Sequence, residues 1–181
     1  MKKEITIDEL LGWGTCSSYT REVCLEISAG KESMTPLEIA ALPILAEDRL
    51  WVLLRPSIIP ERELHLLACK WGEEVLPFFE RTYPNNDRPR KAIEAKRLWI
   101  EGKISDEDLS IARAAAWESA WGSQAAKAAA WGSAREAKAA AWGSAWESAK
   151  AAAWAARAAA WESARESQVA DVIEVLKKGE E

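Results

Sequence analysis

The residue types that most often bind metals or act as nucleophiles are few in this sequence of 181 residues. It has a single histidine, His65, and three cysteines. Cys69 follows His65 by four residues, so on a helix the two side chains share a face at a spacing that suits two metal ligands. Cys16 and Cys24 would complete such a site only if the fold brought them close. Core thiols beside a hydrogen-bonded histidine are the simpler interpretation, so we predict no metal site and keep His65 and Cys69 as weak candidates.

Patterns that support catalysis are missing. A Cys–His nucleophile pair needs an orienting third group and an oxyanion hole, and nothing in the sequence marks either. Gly12-Trp13-Gly14 is not followed by the pattern of a phosphate-binding loop. Paired acids such as Glu73-Glu74 are typical of helix starts and solvated helix faces. We therefore predict no enzymatic activity, no catalytic residues and no cofactor.

The most distinctive polar cluster is Asp87-Arg88-Pro89-Arg90-Lys91. One interpretation is structural: Asp87 caps a helix, Pro89 lies in its first turn, and Arg90 pairs with Glu94 one turn on. The other interpretation is functional, with the cluster as a contact for an acidic group or a protein partner. We take Asp87, Arg88 and Arg90 as candidate partner-binding residues.

An alanine- and tryptophan-rich stretch, residues 112–164, dominates the rest of the chain. It holds seven of the eleven tryptophans, and the phrase Ala-Ala-Ala-Trp occurs in it five times. Alanine is the strongest helix former, and no proline interrupts the stretch. At the angular spacing of a helix, its tryptophans fall within about 140° of one face. The candidate partner-binding residues in this stretch are Trp121, Trp131, Arg135, Trp142 and Trp146.

Lysine or arginine lies four residues from nearly every tryptophan of this stretch, as in Arg113–Trp117 and Trp161–Arg165. Side chains four apart lie over one another on a helix, and a cation over an exposed indole contributes about 0.5–1 kcal/mol. We infer a stripe of alternating indoles and cations, which either packs in the core or forms an interface with a partner. The alternative is that the cations only solubilise an alanine-rich helix.

The stretch is too long for one helix of a compact domain, since unbroken it would extend about 90 Å. Gly122, Gly132 and Gly143 are each followed by serine, which places a helix C-cap before an N-cap. A helical hairpin broken at one of these glycines is favoured over a single rod.

Capping residues divide the preceding sequence into short helices. Thr6 and Thr35 mark two helix starts, Ser17 or Ser18 a third, and Ser105 the entry to the alanine-rich stretch. The tail from Gln168 to Lys178 is amphipathic and is expected to dock as the last helical turns. We predict an all-α bundle in which the helical region 105–181 packs on an N-terminal helical region 1–104 as a single domain.

The charge distribution argues against nucleic acid as a partner. Residues 1–110 carry 15 basic and 20 acidic side chains, residues 111–181 carry equal numbers, and the net charge is −5. No apolar run approaches the roughly 18 residues that a transmembrane helix needs. The N-terminus lacks the apolar core of a signal peptide, and the odd number of cysteines is typical of reduced thiols. We expect a cytoplasmic protein without a membrane contact.

Two segments, PERELHLLACKWGEEVLPFFE and NNDRPRKAIEAKRLWIEGKISDEDLSIARAAA, carry a resemblance to known proteins. They are similar to bacterial proteins described as immunity proteins of polymorphic toxin systems. This resemblance implies a small all-α cytosolic protein that binds a cognate toxin without catalysis. The alternative is a structural or self-associating helical repeat protein, in which the tryptophan stripe mediates assembly.

Overall fold

A computed structural model describes the backbone of residues 2–117 and 145–179, and the side chains of residues 2–117 and 160–179. These residues form eight helices and one pair of two-residue strands, which confirms the all-α prediction. Strand β1 (Ile5–Thr6) pairs antiparallel with β2 (Ser33–Met34). The helices are α1 Ile7–Gly12, α2 Arg21–Ile27, α3 Pro36–Ala40, α4 Ala46–Leu53, α5 Glu61–Thr82, α6 Arg88–Ile100, α7 over 106–117 and α8 Ala145–Lys178.

The chain divides into two compact units. The first unit contains the chain up to Leu67 together with the chain from Arg157 onward, and the second contains Ala68–Ala156. The predicted packing of region 105–181 on region 1–104 as a single domain stays a prediction. The candidate breaks at Gly122, Gly132 and Gly143 lie outside the described residues. Among the helices that are described, none combines the length and the apolar character needed to cross a membrane.

Local capping explains where several helices start. The Thr6 hydroxyl accepts a hydrogen bond from the Glu9 amide, and Thr35 forms a full capping box with Glu38, so both predicted caps are confirmed. Hydrogen bonds from Lys31 and from Thr35 lower the pKa of Glu38 to about 2. The predicted cap at Ser17 or Ser18 is wrong, because the Thr20 hydroxyl caps α2 by accepting from the Val23 amide.

The core of the first unit joins the short N-terminal elements to the last turns of α8. Val169, Val172 and Leu176 are buried, at the three- and four-residue spacing of one helix face. The predicted docking of the amphipathic tail is therefore confirmed. The fully buried large side chains of the chain's described part are Ile5, Ile39, Leu53, Ile58, Ile59 and Val172.

A polar contact beside this core holds α4 to α8. The Arg49 side chain, only 9% exposed, donates to the Ala40 carbonyl at the end of α3 and forms an ion pair with Glu166 of α8. One turn earlier on α8, the Glu162 carboxylate accepts from the Ala46 amide at 3.1 Å and so caps α4, which has no capping side chain of its own. Two consecutive turns of α8 thus supply carboxylate oxygens to α4, one to the Ala46 amide and one to the Arg49 guanidinium.

In the second unit, α5 and α6 approach closely. If Gly72 of α5 carried a side chain, its Cβ would lie only 3.1 Å from Cδ1 of Ile93 on α6. Glycine at this position therefore leaves room for the Ile93 side chain. Arg97 of α6 binds both carboxylate oxygens of Glu73 on α5, at 2.7 and 2.8 Å. At the start of α7, the Ser105 hydroxyl accepts from the Asp108 amide at 3.2 Å, which confirms the predicted cap at Ser105.

We expect Glu166→Ala to lower the free energy of unfolding by about 1–2 kcal/mol, because it leaves the buried guanidinium of Arg49 without its counter-charge. The cost is below the roughly 3–5 kcal/mol of a fully buried pair, since Glu166 is half exposed. Urea denaturation measures the change. Glu174→Ala, an exposed glutamate of the same helix, serves as control and should stay within about 0.5 kcal/mol of the wild type. Equal losses for the two variants would contradict this account.

Candidate functional site

The predicted cluster at Asp87–Lys91 forms a corner with the end of α5. We name residues 78–91 the 78–91 corner: the last turn of α5, the connecting turn and the first turn of α6. Arg90 donates from Nε and Nη2 to the two carboxylate oxygens of Glu80, each at 2.8 Å. This paired hydrogen bond raises the pKa of Arg90 and holds the start of α6 beside the end of α5. Arg90 therefore pairs with Glu80 across the corner. The ion pair with Glu94 that the sequence led us to expect is not formed.

Asp87 and Arg88 have different roles in the 78–91 corner. Asp87 is the N-cap residue of α6, but its side chain makes no capping hydrogen bond and pairs with Lys91 at 2.8 Å. The hydrogen bond from Lys91 lowers the pKa of Asp87. Arg88 is exposed, and no described residue accepts a hydrogen bond from its guanidinium. Of the three predicted contact residues here, Arg88 alone keeps its charged group available to a partner.

An exposed apolar face adjoins this corner. Val75 and Phe78 are 63% and 67% exposed and lie three residues apart on α5. The guanidinium of Arg81 lies over the Phe78 ring, 5.1 Å from its centroid, and makes no ion pair with a described residue. Val75, Phe78 and Arg81 were not predicted from the sequence, because periodicity alone does not distinguish an apolar face that is buried from one that is exposed.

The predicted tryptophan stripe is described only in part. Trp121, Trp131, Arg135 and Trp142 lie outside the described residues. Trp146 belongs to α8, but its side chain is also outside the described part. At the other end of the stripe, the guanidinium of Arg165 lies 5.6 Å from the centroid of the Trp161 ring, so this predicted cation–indole pair is confirmed.

The same arginine also reaches a carboxylate. Arg165 pairs with Glu47 at 2.8 Å, as expected for a cation that shares a helix face with an indole. The Trp161 ring remains 61% exposed. At this position the stripe is therefore a surface feature.

The weak metal candidates, His65 and Cys69, are not joined by a third ligand within the described part of the chain. His65 is half-buried, with Nε2 at 3.6 Å from Glu61, and Cys69 is buried. Within residues 2–117 and 160–179, no three His, Cys, Asp or Glu side chains come together in a group that could hold a metal ion.

The first unit contains an apolar cavity that was not predicted from the sequence. Its volume is about 320 Å³, and its wall is built from β1, β2 and helices α1 to α4 with their connections. Tyr19 and Asp48 form its polar part: the phenol donates to the carboxylate at 2.6 Å. Burial, followed by this carboxylate, raises the pKa of Tyr19 to about 12. The sequence holds no signal for this cavity, since its residues come from six short elements that only the tertiary structure brings together.

A second aromatic feature lies next to the cavity wall. The Arg55 guanidinium lies over two indoles, 4.3 Å from the centroid of Trp13 and 4.4 Å from that of Trp51. Its Nε is buried and finds no acceptor among the described residues. Trp51 also lines the cavity, so this attractive cation–indole contact belongs to its wall.

Comparisons with protein-family models, with curated proteins and with solved structures found no match. The resemblance to immunity proteins therefore stays a prediction.

The three cysteines are free thiols in different surroundings. A hydrogen bond with the Ser18 hydroxyl, at 2.7 Å, lowers the pKa of the exposed Cys16 thiol, whereas burial raises the pKa of Cys24 and of Cys69. A lower pKa means more of the reactive thiolate at neutral pH. We expect iodoacetamide to label Cys16 first in the native protein, with Cys24 and Cys69 reacting only after unfolding, as followed by mass spectrometry.

Ser18→Ala should slow the labelling of Cys16 about two- to threefold at neutral pH, because the thiolate loses its hydrogen bond. Ser17→Ala, at the exposed neighbouring serine, should leave the rate unchanged. Equal labelling rates for Cys16 and Cys24 in the folded protein would contradict the assignment.

Proposed function

We propose that this protein is a non-catalytic protein-binding protein that neutralises a cognate bacterial toxin in the cytoplasm. The observation that carries the proposal is the composition of the exposed surface at the 78–91 corner. There an exposed phenylalanine lies under one arginine, and a second arginine has no acceptor among the described residues.

This composition suits a protein interface. Aromatic residues and arginine are enriched among the residues that contribute most to binding, and charged groups rimming an aromatic anchor set orientation. Arg81 and Arg88 each offer a planar set of donors that matches a carboxylate. The neighbouring cations Arg90 and Lys91 are already paired within the chain. We infer that the partner presents acidic side chains around an apolar pocket that receives Phe78.

Recognition rather than catalysis is the chemistry that these groups support. An arginine remains protonated at neutral pH, so Arg81 and Arg88 are not suited to act as general bases. The one carboxylate that belongs to the turn between α5 and α6, that of Asp87, is paired with Lys91. Binding a toxin so as to block its action requires only such a surface.

Co-expression with a toxin gene from the neighbouring locus tests the proposal. We expect the wild type to rescue growth and to purify as a complex with the toxin. The double variant Phe78→Ala/Arg88→Ala should weaken the complex about tenfold or more, since it removes the aromatic anchor and one guanidinium. Arg62→Ala removes an exposed arginine from the first unit and should bind like the wild type. Failure of the wild type both to rescue growth and to form a complex would refute the proposal.

A second candidate function is self-association through the tryptophan stripe. It is favoured by α8, whose Trp161 ring is largely exposed and whose residues 146, 154 and 161 fall within about 80° of one helix side. An exposed indole on a helix face rich in alanine is suited to pack against a copy of itself.

Light scattering over a range of concentrations tests this second candidate. Self-association predicts a mass above that of the 20.1 kDa chain at high concentration, and Trp161→Ala should lower that mass. The matched variant Trp99→Ala removes an indole outside the stripe and should leave the mass unchanged. A monomer mass at the highest concentration would rule out self-association.

A further inference from the structure

The cavity of the first unit is large enough for a small ligand. An apolar protein cavity of about 150 Å³ accommodates benzene, and this one measures about 320 Å³. Protein interiors are normally close-packed, because side chains that line an unfilled space lose contacts with partner atoms. The wall is mainly aliphatic, with Ile5, Leu10, Ile27, Ile39, Leu42 and Val52 among its residues.

Part of the cavity wall lies in the connection between α1 and α2. Gly14 and Cys16 of this connection line the cavity and are exposed to solvent, so we expect a ligand to enter there. Gly14 has a φ of 81°, a backbone conformation that glycine adopts without strain. Cys16 is therefore a reporter at the entrance.

A carboxylate with no cationic partner among the described residues defines the polar end of the cavity. Asp48 is half-buried, and its only side-chain hydrogen bond within the described residues comes from the Tyr19 phenol. The charged residues on either side of it in α4 are directed elsewhere: Glu47 pairs with Arg165, and Arg49 pairs with Glu166. The other titratable groups on the wall are the Cys16 and Cys24 thiols, which carry no positive charge.

We propose that this cavity binds a small apolar amine, with its ring or chain against the aliphatic wall and its ammonium group at Asp48. A half-buried carboxylate interacts more strongly with a cation than an exposed one does, because less water screens the charges. An apolar carboxylate of the same size would be repelled by Asp48. A neutral alcohol would fill the same space and lack the charge–charge attraction. The site shares no residue with the 78–91 corner and does not depend on the proposed toxin binding.

Three probes of matched shape test the proposal on the unaltered protein: 2-phenylethylamine, 2-phenylethanol and phenylacetate. Calorimetry at neutral pH measures their affinities. We expect the amine to bind about tenfold or more tightly than the alcohol, in line with a charge-assisted hydrogen bond, and the carboxylate to bind least. Equal affinities for amine and alcohol would overturn the assignment of an amine. Absence of binding by all three would overturn the ligand site itself.

Two variants locate the ammonium group. Asp48→Asn keeps an acceptor for Tyr19 and removes the charge, so the amine should fall to the affinity of the alcohol. Glu47→Gln removes the same charge from the adjacent residue of α4, which does not line the cavity, and should preserve the preference for the amine. The assignment of the ammonium group to Asp48 would be contradicted if both variants lost the preference for the amine over the alcohol. It would also be contradicted if both variants kept that preference.

The entrance thiol gives an independent readout. Saturating 2-phenylethylamine should slow the alkylation of Cys16 by iodoacetamide in the wild type severalfold, because the ligand occupies the space behind the thiol. Under the same conditions the Asp48→Asn variant should show little protection. Unchanged labelling of a wild-type protein that calorimetry shows to be saturated would place the ligand elsewhere and overturn the assignment to this cavity.

Discussion

The buried guanidinium of Arg49 is the interaction on which the first unit depends. It lies where the end of α3, the middle of α4 and the last part of α8 meet, and it is bound by the Ala40 carbonyl and the Glu166 carboxylate. A buried cation requires such partners, because removing it from water costs several kcal/mol. Its position therefore restricts α8 to one register against α4. In that register Glu162 caps α4, and Val172 and Leu176 enter the core.

The cavity follows from the shortness of the elements around it. Helices α1 to α4 have between five and eight residues, so each offers one or two apolar turns to the interior. Six short elements around one centre leave a space that longer helices would fill with their own side chains. Asp48 and Tyr19 bring polarity into that space, and Arg55 makes a cation–indole contact with Trp51 of its wall.

In the second unit, ion pairs determine which charges remain for a partner. Glu73 and Glu80 on α5 each bind one arginine of α6 through both oxygens, and these pairs hold the two helices together. Arg81 and Arg88 lie next to these pairs in sequence without sharing in them. An arginine of this helix pair is thus structural where it faces a glutamate of the other helix, and it remains available to a partner where it does not.

The sequence by itself determined the helical class, the caps at Thr6, Thr35 and Ser105, the amphipathic tail and the Trp161–Arg165 pair. These features depend on contacts within about four residues, which helix geometry makes predictable. Only the tertiary structure decided that Arg90 pairs with Glu80 rather than Glu94, that Phe78 is exposed, and that a cavity lies beside Asp48. Each of these depends on which distant segments meet, and spacing along one helix carries no information about that.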